Sequence, residues 1–177
     1  MLFPHTGSRQ VELRPAGATD ATQAYEILFR LGAAGLPVID SYVRSFGEGL
    51  SACFLVHHKG TGEVVGLSTL SSPTSAGHLR MEVHLSTESA EELTRDVHAL
   101  TANFAFAMWR TRKVYLHRSS PDVAAIGFDD EFAPLVRAEA VLPDHTYFHG
   151  RLWDVHVFAI HREDWDIQGV DLLKQIV

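Results

Sequence analysis

One cysteine in 177 residues, Cys53, is too few for an internal disulfide or for a zinc site built on paired thiolates. Beside Phe54 and Leu55 it reads as a buried, inert thiol. Long apolar runs are missing too: none approaches the roughly 20 residues that cross a bilayer, so no membrane partner is expected. Residues 1–10 lack the basic-then-apolar layout of a signal peptide, which makes the cytoplasm the expected compartment. Positive charge is in short supply. Fifteen Lys and Arg stand against 22 Asp and Glu, a net charge of −7. That balance argues against nucleic acid as a partner, because such binding rests on neutralising phosphates. Histidine is plentiful at 11 copies, yet no His-Glu-x-x-His or similarly tight ligand spacing occurs, and no metal is expected.

Apolar residues make up 46% of the chain, enough to build the core of one domain. Val11-Glu-Leu-Arg-Pro15 predicts a short strand. Thr19-Asp20 then predicts a helix cap before residues 21–31, where Ala24, Ile27, Leu28 and Leu31 recur at helical spacing. Residues 32–37 end that helix, and 38–46 suit a second short one. Residues 52–57 and 63–70 predict strands joined by a glycine turn at 59–62. His78–Leu85 predicts a further strand, with Leu79, Met81, Val83 and Leu85 on one face and Arg80, Glu82 and His84 on the other.

Residues 90–109 predict a long helix striped by Leu93, Val97, Leu100, Phe104, Ala107 and Met108. The basic run Arg110-Thr-Arg-Lys113 behind it suits the negative end of the helix dipole. Residues 113–117 predict a strand, and Ser120-Pro-Asp122 the capped start of another helix that stops before Pro134. Residues 136–141 lead into a closing hairpin that turns at His149-Gly150-Arg151. The resulting order, βα(α)βββαβαββ, contains no internal repeat.

The closing strand reads Gly150-Arg-x-x-Asp-Val-x-Val-x-Ala-Ile160, the first strand and helix read Leu13-Arg-Pro-Ala-x-x-x-Asp-Ala21, and the first hairpin carries Gly62-Glu-Val-Val-Gly66. Together these resemble the GNAT (Gcn5-related) N-acyltransferases, in the branch that includes the N-terminal acetyltransferases of ribosomal proteins. The resemblance spans about residues 11–165 and implies an α+β fold of three layers, α/β/α. Its central sheet would be mixed, mostly antiparallel, and splayed between the fourth and fifth strands. Residues 1–177 would form a single domain, with 166–177 as a C-terminal extension. The apolar spacing of that tail (Ile167, Val170, Leu172, Leu173, Ile176, Val177) suits docking on the parent domain or on a second copy, which would make a homodimer.

The resemblance further implies transfer of an acetyl or other acyl group from a thioester co-substrate to a small-molecule or peptide amine. The donor would be acetyl-CoA or another acyl-CoA, or an acyl carrier protein. Cofactor contacts would come from Val83 and Leu85 on the fourth strand, Ser89 and Thr94 at the start of the long helix, and His117 and Ser119 on the fifth strand. The family's glycine-rich diphosphate loop falls on residues 89–94, but no glycine lies between His78 and Arg118. Ser89 and Glu92 instead form a capping box, and Glu88, Glu91 and Glu92 place acids where a diphosphate would sit. The polar positions the family uses in the next helix are Val123 and Ile126 here. Acid and base must therefore come from elsewhere. His84, or Glu82 if burial raises its pKa, suits the base, and Tyr115 or Tyr147 suits proton donation to the thiolate. Two other readings fit the altered loop: a GNAT-fold scaffold without activity, and an aminoacyl-tRNA-dependent transferase.

Overall fold

A computed structural model of the protein describes residues 2–86 and 91–177. Seven strands form a single sheet in the order β1-β2-β3-β4-β5-β7-β6. They are β1 (Val11–Pro15), β2 (Leu50–His58), β3 (Val64–Ser71), β4 (His78–Leu85), β5 (Lys113–Arg118), β6 (Val136–Phe148) and β7 (Arg151–His161). Every neighbouring pair is antiparallel except β4 and β5, which run parallel. The parallel pair follows from the long helix α3 (Glu91–Met108), which carries the chain back across the sheet between them.

Helices α1 (Ala21–Arg30) and α2 (Ile39–Arg44) cover one face, burying Ala24, Ile27 and Leu28 against Cys53, Leu55 and Leu67. Burial pushes the Cys53 thiol up to about 11, with the charge of Asp20 adding to it, so the thiol is inert at neutral pH. The opposite face packs Val11, Leu13, Phe54, Val56, Leu79 and Met81 beneath Val97 and Leu100 of α3. Three layers result, as the resemblance implies. Asp20 does not cap α1 with its side chain; its Oδ2 accepts a hydrogen bond from the backbone N–H of Gly17 at 2.8 Å. No helix among the described residues is long and apolar enough to cross a membrane.

The helix expected after Ser120 does not form. Two 3-10 turns, Ala124–Ile126 and Ala133–Leu135, stand in its place. Local side-chain bonds win there: Ser120 Oγ accepts from the Asp122 N–H, Asp122 Oδ1 from Ala124, and Asp129 Oδ1 from Glu131 and Phe132. Gly127, at φ 84°, ends the first turn, and Pro134 stands near the start of the second.

The C-terminal tail docks on its own domain. Helix α4 (Arg162–Asp164) leads through a π-helical turn, Trp165–Gly169, into α5 (Val170–Ile176), where Leu172, Leu173 and Ile176 are buried. Trp165 is fully buried, its ring centroid 5.9 Å from that of Phe106 and its Nε1 3.4 Å from Asn103 Oδ1.

Candidate functional site

Four residue pairs hold β4 to β5, from His78 with Lys113 to Met81 with Leu116, and the ladder stops there. Beyond that point β4 stays paired with β3 from Glu82 to Leu85, while β5 stays paired with β7 from His117 to Arg118. Each strand thus keeps its outer partner while the inner edges part. Gly66 matters to this arrangement: a Cβ there would stand 2.2 Å from the carbonyl oxygen of His84, so only glycine lets β3 follow β4 to its open end.

The gap opens into a cavity of about 750 Å³. The loop after α1 (Ala33 to Pro37) walls one side and the β6–β7 hairpin the other. The hairpin reaches it through an irregularity in β6. Register slips between Leu142 and Thr146, Asp144 takes a positive φ of 49°, and the Asp154 carboxylate accepts its N–H at 3.0 Å. Pro143, which cannot donate to a ladder, sits inside this bulge, and the bulge turns His145 into the cavity. The floor passes through the sheet to His98 of α3.

Of the predicted residues, Glu82, Val83, His84, His117 and Ser119 line the cavity. Tyr115 and Tyr147 do not. Tyr115 lies on the closed part of the β4–β5 ladder, opposite Arg80, with its ring 5.3 Å from that of His78. Tyr147 is 71% exposed on the side of β6 opposite Thr146 and Phe148, both of which do line the cavity. Strand alternation and the position of the splay thus set both tyrosines apart from the cavity. Leu85 packs against the core beside Gly66, and neither it nor Thr94 is among the residues that line the cavity. Ser89 lies outside the described residues.

The polar groups are coupled across the gap. Arg80 Nη2 stands 2.6 Å from Glu82 Oε1, and His84 Nε2 stands 3.9 Å from Glu82 Oε2, an ion-pair distance too long for a hydrogen bond. His84 is the main influence holding the Glu82 carboxyl below its usual value; burial opposes it, and Arg80 and His117 assist. The expectation of a carboxyl raised by burial is thus reversed, and Glu82 is a carboxylate at neutral pH. Across from it, burial first and the Arg80 charge second push the His117 imidazole below its ordinary value. His117 is accordingly neutral at pH 7, with a free lone pair for an ammonium proton.

His98, Arg118, His145 and Trp153 were not singled out from the sequence, although all four line the cavity. His98 is 3% exposed, and its Nδ1 bonds the Thr94 carbonyl at 2.8 Å. A carbonyl only accepts, so Nδ1 carries the hydrogen and Nε2 is left as the basic nitrogen. Burial pushes this imidazole down to about 4, with the Arg118 charge assisting.

An acid-sensitive stability follows. The unfolded chain binds a proton at His98 near pH 6.5 while the folded chain resists it until about 4, so the native state loses stability as pH falls through that window. The loss expected from this group is at most roughly 3 kcal/mol. Urea titrations of the protein and of His98→Gln between these pH values check it, and equal acid slopes in both would refute it. Among the described residues no cluster of three or more His, Cys, Asp or Glu groups is placed to hold a metal ion.

Neither a protein-family model nor a curated protein sequence matches the chain. Solved structures do. A chimera of the spermidine N-acetyltransferase SpeG of Vibrio cholerae and hSSAT superposes with a TM-score of 0.72 at 16% identity, covering 89% of this chain and 99% of the other. The dodecameric spermidine N-acetyltransferase of Vibrio cholerae gives 0.72 at 15%, covering 90% and 98%. A GCN5-related N-acetyltransferase from Brucella melitensis gives 0.69 at 16%, covering 94% and 82%. The fold is the GNAT fold. Within it, the parted β4 and β5 and the cavity beneath them are the parts of this chain that the sequence resemblance singled out.

Proposed function

We propose that this GNAT-fold protein is an N-acyltransferase that moves an acetyl or other acyl group from a thioester to an amine. The observation that carries the reading is the end of the β4–β5 ladder at Met81 and Leu116, with a cavity running through the sheet beyond it. An extended thioester arm fits such a slot from the α3 side. The acceptor would enter between the α1–α2 loop and the hairpin. His117 takes the proton that frees the amine from its ammonium form, the amine nitrogen attacks the thioester carbon, and as the C–N bond forms and the C–S bond breaks the nitrogen's second proton goes to the departing sulfur, which leaves as the thiol. Backbone N–H groups on the freed edge of β4, around Val83, would polarise the carbonyl, and much of the acceleration would come from alignment. Glu82 and Arg80 position His117 through charge, and His84 stands beside Glu82 as an alternative base. Ser119, at the mouth, suits contact with the donor.

Acyl-CoA is the donor of this reading; an acyl-pantetheine on a carrier protein would use the same slot and present one phosphate rather than three. The sequence between His78 and Arg118, which carries no glycine, makes the diphosphate contact the weakest part of the fit. A second reading, a scaffold that retains the fold without transferring acyl groups, is favoured by one observation: Ile126, at a position where the sequence resemblance implies a polar side chain, is fully buried in the core.

Thermal unfolding separates the two. A donor that binds only the folded state at 100 times its dissociation constant is expected to raise stability by about 2.7 kcal/mol. With acetyl-CoA at millimolar concentration this should appear as an upward shift of several degrees. Absence of any shift with acetyl-CoA, longer acyl-CoAs and acyl-phosphopantetheine alike would leave the scaffold reading standing.

A further inference from the structure

We propose that the acceptor is a hydrophobic α-amino acid whose carboxylate is held by Arg80 while its amine faces His117. This rests on the acyl-transfer reading above. In a chain of net charge −7 the cavity runs the other way: among the described residues Arg80 and Arg118 line it against one carboxylate, Glu82, which Arg80 already engages. A polyamine carries several ammonium groups and needs several acids to receive them. Among the described residues this cleft offers one, already paired. Five histidines, at 84, 98, 117, 145 and 149, make up the rest of the titratable lining described, and none of them supplies negative charge.

Register places the two anchoring points on adjacent strands where the β4–β5 ladder ends. Met81 pairs with Leu116, so Arg80 and His117 lie one step either side of the last closed rung, and strand alternation turns both to the same face. The Arg80 side chain remains 40% exposed in the cleft, which leaves guanidinium donors for a second carboxylate beside Glu82. The rest of the wall is apolar: Leu28, Leu36 and Pro37 on one side, Phe148, Trp153 and Val155 on the other. An aliphatic or aromatic side chain fills that space with a favourable transfer term, whereas a hydrophilic acceptor does not.

The experiment uses the full chain with the acyl-thioester that stabilises it. Acceptors are L-phenylalanine, phenethylamine (the same body without the carboxylate) and spermidine, with N-acyl products measured by mass spectrometry. A charge-assisted carboxylate contact is expected to make kcat/KM for phenylalanine at least about tenfold higher than for phenethylamine. Spermidine is expected to give no product. Arg80→Gln should bring the phenylalanine-to-phenethylamine ratio to within about threefold of unity, and the ratio cancels any general loss of rate in that variant. Preference for phenethylamine or spermidine would overturn the carboxylate grip while leaving acyl transfer intact. A thioester-induced stability shift with no product from any of the three would also overturn it. Neither a shift nor a product would overturn the transfer reading itself.

Discussion

Replacing His117 with asparagine is expected to lower kcat for acyl transfer by about two to four powers of ten, the range for loss of a general base. The residue sits on β5 at the first position where β4 no longer pairs with it, directly across the gap from Glu82. An attacking amine arrives mostly as ammonium and must lose a proton before or during attack. Burial and Arg80 keep His117 neutral at pH 7, so it can take that proton, and Glu82 opposite stabilises the imidazolium that forms. The sign of the pH dependence follows. A base whose pKa lies below that of an ordinary imidazole is active above that value, so kcat/KM falls as pH drops through it and is level through neutrality on this account. Arg80→Gln removes one of the influences that lower His117, and is expected to move the acid limb to higher pH. The measurement is a pH–rate profile of the protein, His117→Asn and Arg80→Gln, with thermal melts to show that each variant folds. An unchanged kcat in His117→Asn at saturating acceptor would remove His117 as the base and leave His84 to be tested.

Trp165→Ala should cost about 3–5 kcal/mol of stability, the range for truncating a buried aromatic. Set against a usual total of about 5–15 kcal/mol, that leaves a marginal protein. Trp165 is fully buried between Phe106, Asn103 and the turn that carries Gly169. A Cβ on Gly169 would lie 2.3 Å from Cδ2 of the indole, so the ring and the glycine fit only each other. Gly169→Ala, which removes no apolar contact, is therefore also expected to be strongly destabilising, because a rigid ring cannot yield as a flexible side chain does. Denaturant midpoints for both variants check this. Loss in Trp165→Ala with none in Gly169→Ala would show that the π-helical turn relaxes freely. Both changes lie behind α3 rather than in the cleft, so at a temperature where the variants remain folded the acceptor preference should persist.

The strands and the long helix were legible because their apolar residues recur at periods of two and 3.6, which burial on one face imposes. Leu79 and Met81 point into the core and Arg80, Glu82 and His84 away from it, as alternation requires. The segment after Ser120 was misread for an equally local reason. Ser, Pro and Asp suit the opening of a helix or of a turn, and here the Ser120, Asp122 and Asp129 side chains bond nearby backbone N–H groups while Gly127 at φ 84° ends the first turn. That Tyr115 and Tyr147 lie outside the cavity lining is not legible in the sequence, because a strand residue's face says nothing about whether the neighbouring strand is paired or parted beside it. His98 gave no clear signal: its helix position fits the core stripe, and the carbonyl it bonds is four residues away in the same helix.

The residues in order, through periodicity, turn chemistry and three short motifs, determined the element order for all but one helix, the antiparallel hairpins and the GNAT-type sheet. Where the β4–β5 ladder ends, which side chains meet across the gap and which protons they hold were decided only by tertiary structure. Pairing, desolvation and charge coupling arise between segments as far apart as Arg80, His117 and His145, and local sequence carries no record of the distances among them.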